Sequence, residues 1–254
     1  MIINLFGSDW LEKQRVAGQA VTDCLHASRD MLKSGVTGKQ VEAKCLEIIA
    51  KYDCTPTFLN YQPANHAPFP GAICFSINKE LVHGIPNDTP VAEGDVVKVD
   101  LGATYQGAIA DAAITVIIGQ GTKEQQEGLK TCREALEAGI KAIKVDAHLG
   151  VIGSAIYRAT RYSKFGLITN YGGHGLDWNR PHAPPFVANK DESKNGVRLQ
   201  AGMTLAIEPM LTTGAPVTRL SADGWAVTTP GLGFHFERTI YLGQEGVEII
   251  TPWS

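Results

Sequence analysis

The chain of 254 residues is long enough for one large domain or two small ones, with a sizeable core. Its 44% hydrophobic and 19% charged residues exclude a disordered chain, and a formal charge of −3 without a basic run excludes an electrostatic nucleic-acid footprint. Five cysteines without a C-x-x-C pair read as reduced thiols, and no run of about 18 apolar residues is present to span a membrane. The apolar stretch at the N-terminus is too short for a signal peptide, so the expected address is the cytoplasm.

A first helix is expected from Ser8 or Asp9, with Glu12 completing a capping-box-like pattern, to the Lys33-Ser34-Gly35 stop. A second starts at Thr37, where Gln40 completes T-x-x-Q, and buries Val41, Cys45, Ile48 and Ile49. A Pro-rich loop, Asn60 to Pro70, leads to a strand over 72–77. Strands over 96–101 and 109–118 are joined as a hairpin through Tyr105-Gln106-Gly107. Thr122 and Gln125 then open a third helix, with Leu129, Cys132, Leu136, Ile140 and Ile143 on one face. A fourth helix covers 149–162, and strands follow over 204–208, 225–228 and 234–242.

The order helix, helix, strands therefore occurs twice, and residues repeat with it. Ala92-Glu93-Gly94 to Asp100 aligns with Gln200-Ala201-Gly202 to Glu208, and Leu32–Tyr61 aligns with Ile143–Tyr171 with one gap. Two matches in the same order indicate an internal repeat, roughly 1–121 and 122–254, too long for a solenoid unit. The expectation is one unit, 1–254, of two related halves closing on each other.

Carboxylates stand where apolar residues belong. Asp100 and Asp111 sit symmetrically about Tyr105-Gln106 in otherwise apolar strands, which predicts that they lie directly opposite. A buried carboxylate pair calls for a cation, a shared proton or a basic partner from elsewhere. The second half repeats the oddity with Glu208, followed at once by Pro209, and with Glu237 between Phe236 and Ile240. The repeat matches Asp100 to Glu208 and, by extension, Asp111 to Glu237. Four converging carboxylates are most economically neutralised by a pair of cations.

Among seven histidines, His174 is flanked by glycines in Gly172-Gly173-His174-Gly175, which allow close approach to a ligand. One imidazole with four carboxylates suits Mn, Fe, Co or Zn. His83 opens the turn His83-Gly84-Ile85-Pro86. His182 lies in Arg180-Pro181-His182-Ala183-Pro184, and His235 stands two strand positions before Glu237, on the same face. For His182 and His235 a structural role remains the alternative; His26, His66 and His148 read as surface or core. There is no G-x-S-x-G elbow, no G-x-x-x-x-G-K-[ST] loop and no H-E-x-x-H pair.

His83-Gly84-Ile85-Pro86, Asp100 and Asp111 at hairpin spacing, Gly173-His174-Gly175, Ile207-Glu208-Pro209-Met210, Asp223-Gly224-Trp225 and Phe236-Glu237 with Thr239 together resemble the short, single-domain methionine aminopeptidases, over almost the whole chain. The resemblance implies an α+β pita-bread fold, two pseudo-symmetric ααββ halves with a curved antiparallel sheet covered by helices. It implies two divalent metal ions (Co, Mn, Fe or Zn) held by Asp100, Asp111, His174, Glu208 and Glu237, with Asp111 and Glu237 bridging. Glu208 would also shuttle a proton, His83 and His182 would serve the reacting peptide, and Phe69, Cys74 and Trp225 would line the methionine pocket. The expected partners are peptide or nascent-protein N-termini, with the ribosome as their source, and the expected state is a monomer without membrane or nucleic-acid partners. The sequence departs from the family in four places, one of them a segment between Trp225 and Glu237 that is shorter than the family's. His182 is eight residues after His174 rather than seven, His235 stands where Gln is common, and His66 stands where an aromatic pocket residue is usual. The competing readings are a Xaa-Pro aminopeptidase or prolidase-like peptidase, and a non-catalytic binding module of the same fold.

Overall fold

A computed structural model describes residues 2–64, 66–192 and 196–254. Asn65, inside the Asn60–Pro70 loop, lies outside the described residues. The first half runs α1 (Ser8–Met31), α2 (Gly38–Lys51), β1 (Thr55–Pro56), β2 (Cys74–Ile77), β3 (Glu80–Val82), β4 (Val96–Tyr105) and β5 (Ala108–Ile117). The second begins with α3 (Lys123–Lys141) and α4 (Gly150–Thr160), then β6 (Gly166–Leu167), β7 (Gly172–Asp177), β8 (Arg180–Ala188) and β9 (Thr204–Ile207). It closes with β10 (Met210–Thr212), β11 (Arg219–Leu220), β12 (Val227–Thr228), β13 (Gly233–His235), β14 (Glu237–Gly243) and β15 (Gly246–Ile249).

Both T-x-x-Q sequences cap helices. Thr37 and Thr122 accept from the backbone N–H of Gln40 and Gln125, and each glutamine side chain accepts in return from the threonine N–H. The expected capping pattern at Asp9 and Glu12 does not form. The first helix starts at Ser8, within the expected bounds, but after Gly7 and without a side-chain cap, and Asp9 instead takes Lys13 at 2.7 Å one turn on.

The main sheet is antiparallel and nine-stranded, in the order β1-β4-β5-β14-β9-β7-β8, with β2 also on β4 and β15 on β14. Alternation along its strands sorts two faces. Val97, Val99 and Leu101 of β4, with Ala110, Ala112 and Ile114 of β5, join one core with Ala17, Val21, Cys24 and Leu25 of α1. Leu205, Ile207, Ile240 and Leu242 enter the same core beside Cys132, Leu136 and Ile140 of α3. The helices thus cover one face, and Asp100, Asp111 and Glu237 occupy strand positions of the other.

Several strand assignments differ from the sequence reading, and three of the differences bear on the site. The hairpin turns on Gln106-Gly107, both with positive φ (47° and 88°), the two-residue geometry that matches strand twist. Asp100 therefore pairs with Ala113 and Asp111 with Gly102, so the two aspartates are diagonal on one face rather than directly opposite. The expected strand over 234–242 breaks at Phe236, because β13 pairs with β10 in a smaller sheet while β14 pairs with β5 and β9 in the large one. Finally, β7 and β8 were not foreseen, since their glycines and prolines argue against strand. Gly173 is needed there because a Cβ would collide with the Ala206 carbonyl of the neighbouring strand.

The halves repeat down to single hydrogen bonds. Gly94 and Gly202 both have positive φ and donate to Ile118 and Leu242 at 2.8 and 2.7 Å; Ile118 and Leu242 donate back to Asp95 and Met203. This equivalence carries Glu237 onto Ala113, which is also its direct partner across the β14–β5 seam, and not onto Asp111.

Candidate metal centre

Five candidate ligands come from five successive strands of the large sheet: Asp100 on β4, Asp111 on β5, Glu237 on β14, Glu208 just past the end of β9, and His174 on β7. Ala113 lies between Asp100 and Glu237 in the cross-strand register, and its small side chain leaves room for both to lean inward. Asp111 is the next position of the same strand face. His174 pairs with Ala206, two residues before Glu208. Ligand atoms of Asp100, Asp111 and Glu237 lie within 4.8 Å of one another, as do those of His174, Glu208 and Glu237.

All four carboxylates are buried. Burial raises Asp111 to about 7. It lifts Asp100, Glu208 and Glu237 well above the usual carboxylate range, helped by their mutual repulsion. Asp100 Oδ1, Asp111 Oδ1 and Glu237 Oε1 are buried with no hydrogen-bond partner among the described residues, an arrangement that costs stability unless a cation fills it. The His174 Nδ1–H donates to the Gly175 carbonyl at 3.1 Å, which leaves the Nε2 lone pair facing Glu208 Oε1 at 3.6 Å and Glu237 Oε1 at 4.0 Å. That is the tautomer of a metal ligand held by an outer partner. Its pKa, lowered to about 4 chiefly by burial, keeps it neutral at pH 7. The donor set fits divalent cations.

His83, at the end of β3, faces the same cavity and is lowered to about 4 by burial and by His174. It is held at a positive φ of 59°, while the following Gly84 N–H donates to Ser76 Oγ. His182, on β8, is also brought into the site: its ring is 4.7 Å from that of His174, and its Nδ1 meets the Tyr61 hydroxyl at 2.8 Å. Tyr61 had no pattern in the sequence to single it out. His235 also reaches the centre, though not by shared strand parity, since the break at Phe236 puts it on β13 and Glu237 on β14; its Nε2 is 3.1 Å from Glu208 Oε2.

Above the ligands is a cavity of about 350 Å³. Phe58, Phe69 and Cys74 form one apolar cluster with Ile85 and Trp225, and the Phe69 and Trp225 rings meet edge to face at 5.1 Å. Asp223 fixes Trp225 by accepting from the N–H groups of residues 225 and 226. His66 lies 5.6 Å from the Trp225 ring. Met210 and Tyr171, whose place in the pocket the sequence reading did not assign, also line it, as do Val82, Leu220 and Val227.

Residues 10–244 match metallopeptidase family M24. The methionine aminopeptidase of Aquifex aeolicus is 39% identical over 257 residues, covering 99% of each chain. The crystal structure of methionine aminopeptidase from Thermotoga maritima superposes with a TM-score of 0.92 at 36% identity, over 98% of this chain and 99% of that one. Prolidase from Pyrococcus furiosus shares the fold, with a TM-score of 0.77 at 20% identity, but this chain covers only 66% of it. The fold is thus the pita-bread arrangement of two ααββ halves, and the chain belongs to metallopeptidase family M24, on its methionine aminopeptidase side.

Proposed function

We propose that this chain removes the N-terminal methionine from peptides and nascent proteins, acting in the cytoplasm as a monomeric unit spanning residues 1–254 that meets its nascent substrates at the ribosome. What supports this reading is five inward-facing carboxylate and imidazole side chains, on or just past five successive strands, beneath an apolar-walled cavity of about 350 Å³. Asp100, Asp111, His174, Glu208 and Glu237 would hold two divalent ions, of Co, Mn, Fe or Zn. When bound, such ions supply an acidified water and an electrophile for the peptide carbonyl.

The remaining chemistry belongs to the chain. Phe69, Cys74 and Trp225 wall the space for the first side chain, and burying a methionine there contributes about 1.5–3 kcal/mol, roughly 10- to 150-fold over alanine. Glu208 takes a proton from the attacking water and returns it to the leaving nitrogen, giving methionine and the shortened chain. His83 and His182, both neutral at pH 7, donate ring N–H groups to the oxygen on which charge develops. Tyr61 bound at Nδ1 leaves the His182 Nε2–H free for this.

The test is hydrolysis of Met-Ala-Ser against Leu-Ala-Ser and Ala-Pro-Ala peptides, with and without Mn²⁺ or Co²⁺, in the wild type and Asp111→Asn. Metal-dependent, methionine-selective cleavage, lost in the variant, is expected. Preference for the proline peptide would move the chain to the prolidase side, and absence of tight metal binding would leave only a binding module.

A further inference from the structure

Two imidazoles bracket the glutamates of the centre, and their hydrogen-bond environments differ. His174 Nε2 faces Oε1 of Glu208 and Glu237; His235 Nε2 faces the other oxygens, Oε2 of Glu208 at 3.1 Å and of Glu237 at 3.9 Å. The His174 Nδ1 has the Gly175 carbonyl to donate to. The His235 Nδ1 is buried and has no partner among the described residues. A buried N–H without an acceptor is costlier and rarer than a bare lone pair, so the proton of His235 belongs on Nε2.

We infer that His235 is a positioning residue for Glu208, with its Nε2–H donating to Oε2, and that it is not a sixth metal ligand. The inference rests on the role assigned to Glu208 above. The strand around His235 is built to hold the ring still. Its backbone N–H donates to Thr115 Oγ1 at 3.0 Å, the Thr115 hydroxyl donates back to the His235 carbonyl at 2.6 Å, and its register partner is Met210. Glu208 is meanwhile fixed at its other end, where Asn189 Nδ2 donates to its carbonyl at 3.1 Å. With Oε2 taken by His235, Oε1 is the oxygen turned toward His174 and the centre. The imidazole therefore selects which oxygen of Glu208 serves the metal and which is restrained. A side-chain amide could make the same donation; an apolar side chain could not.

The first experiment needs no catalysis: long-range ¹H–¹⁵N correlation of histidine rings in the metal-free protein. His235 protonated at Nε2 beside His174 protonated at Nδ1 is expected, and a proton on His235 Nδ1 overturns the inference. Next, Mn²⁺ affinity by calorimetry and kcat on a Met-Ala-Ser peptide are compared in His235→Leu and His235→Gln. Loss of an outer hydrogen bond to a ligand weakens metal binding or activity by about 10- to 100-fold. His235→Leu should lose that much in affinity and kcat with KM nearly unchanged, and His235→Gln should stay within about threefold of wild type. A leucine variant as good as wild type, or a glutamine variant as poor as leucine, overturns it. If the leucine variant does not fold, the ring spectrum and the glutamine variant still decide. Wild-type protein that binds Mn²⁺ with these tautomers yet cleaves no methionine peptide would refute the proposed function and leave the positioning role standing.

Discussion

Tyr61 and Ala113 are two residues around the centre whose roles are visible only in three dimensions. The Tyr61 hydroxyl holds His182 Nδ1 at 2.8 Å, so Tyr61→Phe removes one hydrogen bond without opening a cavity. Such a bond contributes about 0.5–1.5 kcal/mol, so kcat/KM on a methionine peptide should fall by up to roughly 2- to 12-fold, with the melting temperature lowered by no more than about 6 °C. An unchanged kcat/KM would mean that His182 does not act on the substrate. Ala113 makes the opposite kind of contribution, by being small. It pairs with Asp100 on one side and Glu237 on the other, so the added methyls of Ala113→Val project into the space their side chains share. Calorimetry should show Mn²⁺ affinity reduced by at least about 100-fold, with stability reduced by about 1–3 kcal/mol for the overpacked core. Retained affinity would place the ions elsewhere. The carboxylates themselves were legible in the sequence because charge in an apolar strand is costly and therefore informative. A tyrosine in a Pro-rich loop and an alanine in a strand violate no rule, so nothing in the sequence marked them.

At the scale of elements, the β7–β8 hairpin supplies His174 from β7, which β9 also holds, and His182 from the edge strand β8, whose placement depends on the hairpin. Its tip is tied down by the N-terminal segment. Trp178 meets Trp10 edge to face at 4.8 Å, Phe6 stacks on Trp10 at 4.0 Å, and Lys13 lies over the Trp178 ring at 5.3 Å. Asn4 donates to Asp177 at 2.7 Å, and the Asn179 N–H donates to Gly107 in the turn of the β4–β5 hairpin. These aromatic contacts are worth about 0.5–1.5 kcal/mol each. Trp178→Ala should therefore lower the melting temperature by roughly 2–6 °C. It should also cut kcat/KM while leaving Mn²⁺ affinity nearly intact, because His174 is held independently by β9. Hydrogen exchange should quicken in residues 176–184 and not in β9. Equal losses of affinity and activity would show the hairpin moving as one rigid piece. The same hairpin marks where sequence reading stopped. Helices with capping boxes and apolar stripes were recognisable one by one, whereas strands of Gly and Pro are strands only because neighbouring backbones require them.

For the whole molecule, the buried charges decide how stability follows pH. Asp100, Asp111, Glu208 and Glu237 all titrate above their ordinary range when folded, so the folded metal-free protein keeps protons that the unfolded chain releases. Stability from these groups is lost as pH rises above about 4 and continues to fall through the folded values, about 7 for Asp111. His83, His174 and His235 are lowered to about 4, 4 and 3, so their contribution is present above about 6.5, where it levels off, and is lost as pH falls. Buried Lys98, lowered to about 7 by burial, adds stability between about 7 and 10.5. A melting curve against pH would mix all of these. The increment produced by saturating Mn²⁺ weights the carboxylates most, because Lys98 Nζ donates to the carbonyls of Asn78 and Val96 and makes no hydrogen bond to the candidate ligands. At pH 6 a cation must displace at least the Asp111 proton, at a cost of about 1.4 kcal/mol, and at pH 8 that cost has nearly gone. The Mn²⁺-induced rise in melting temperature should therefore be larger at pH 8 than at pH 6 by roughly 3–6 °C or more. Asp111→Asn removes that proton, so its smaller increment should vary less with pH. Equal increments at both pH values in the wild type would mean that the cation does not bind where these carboxylates converge.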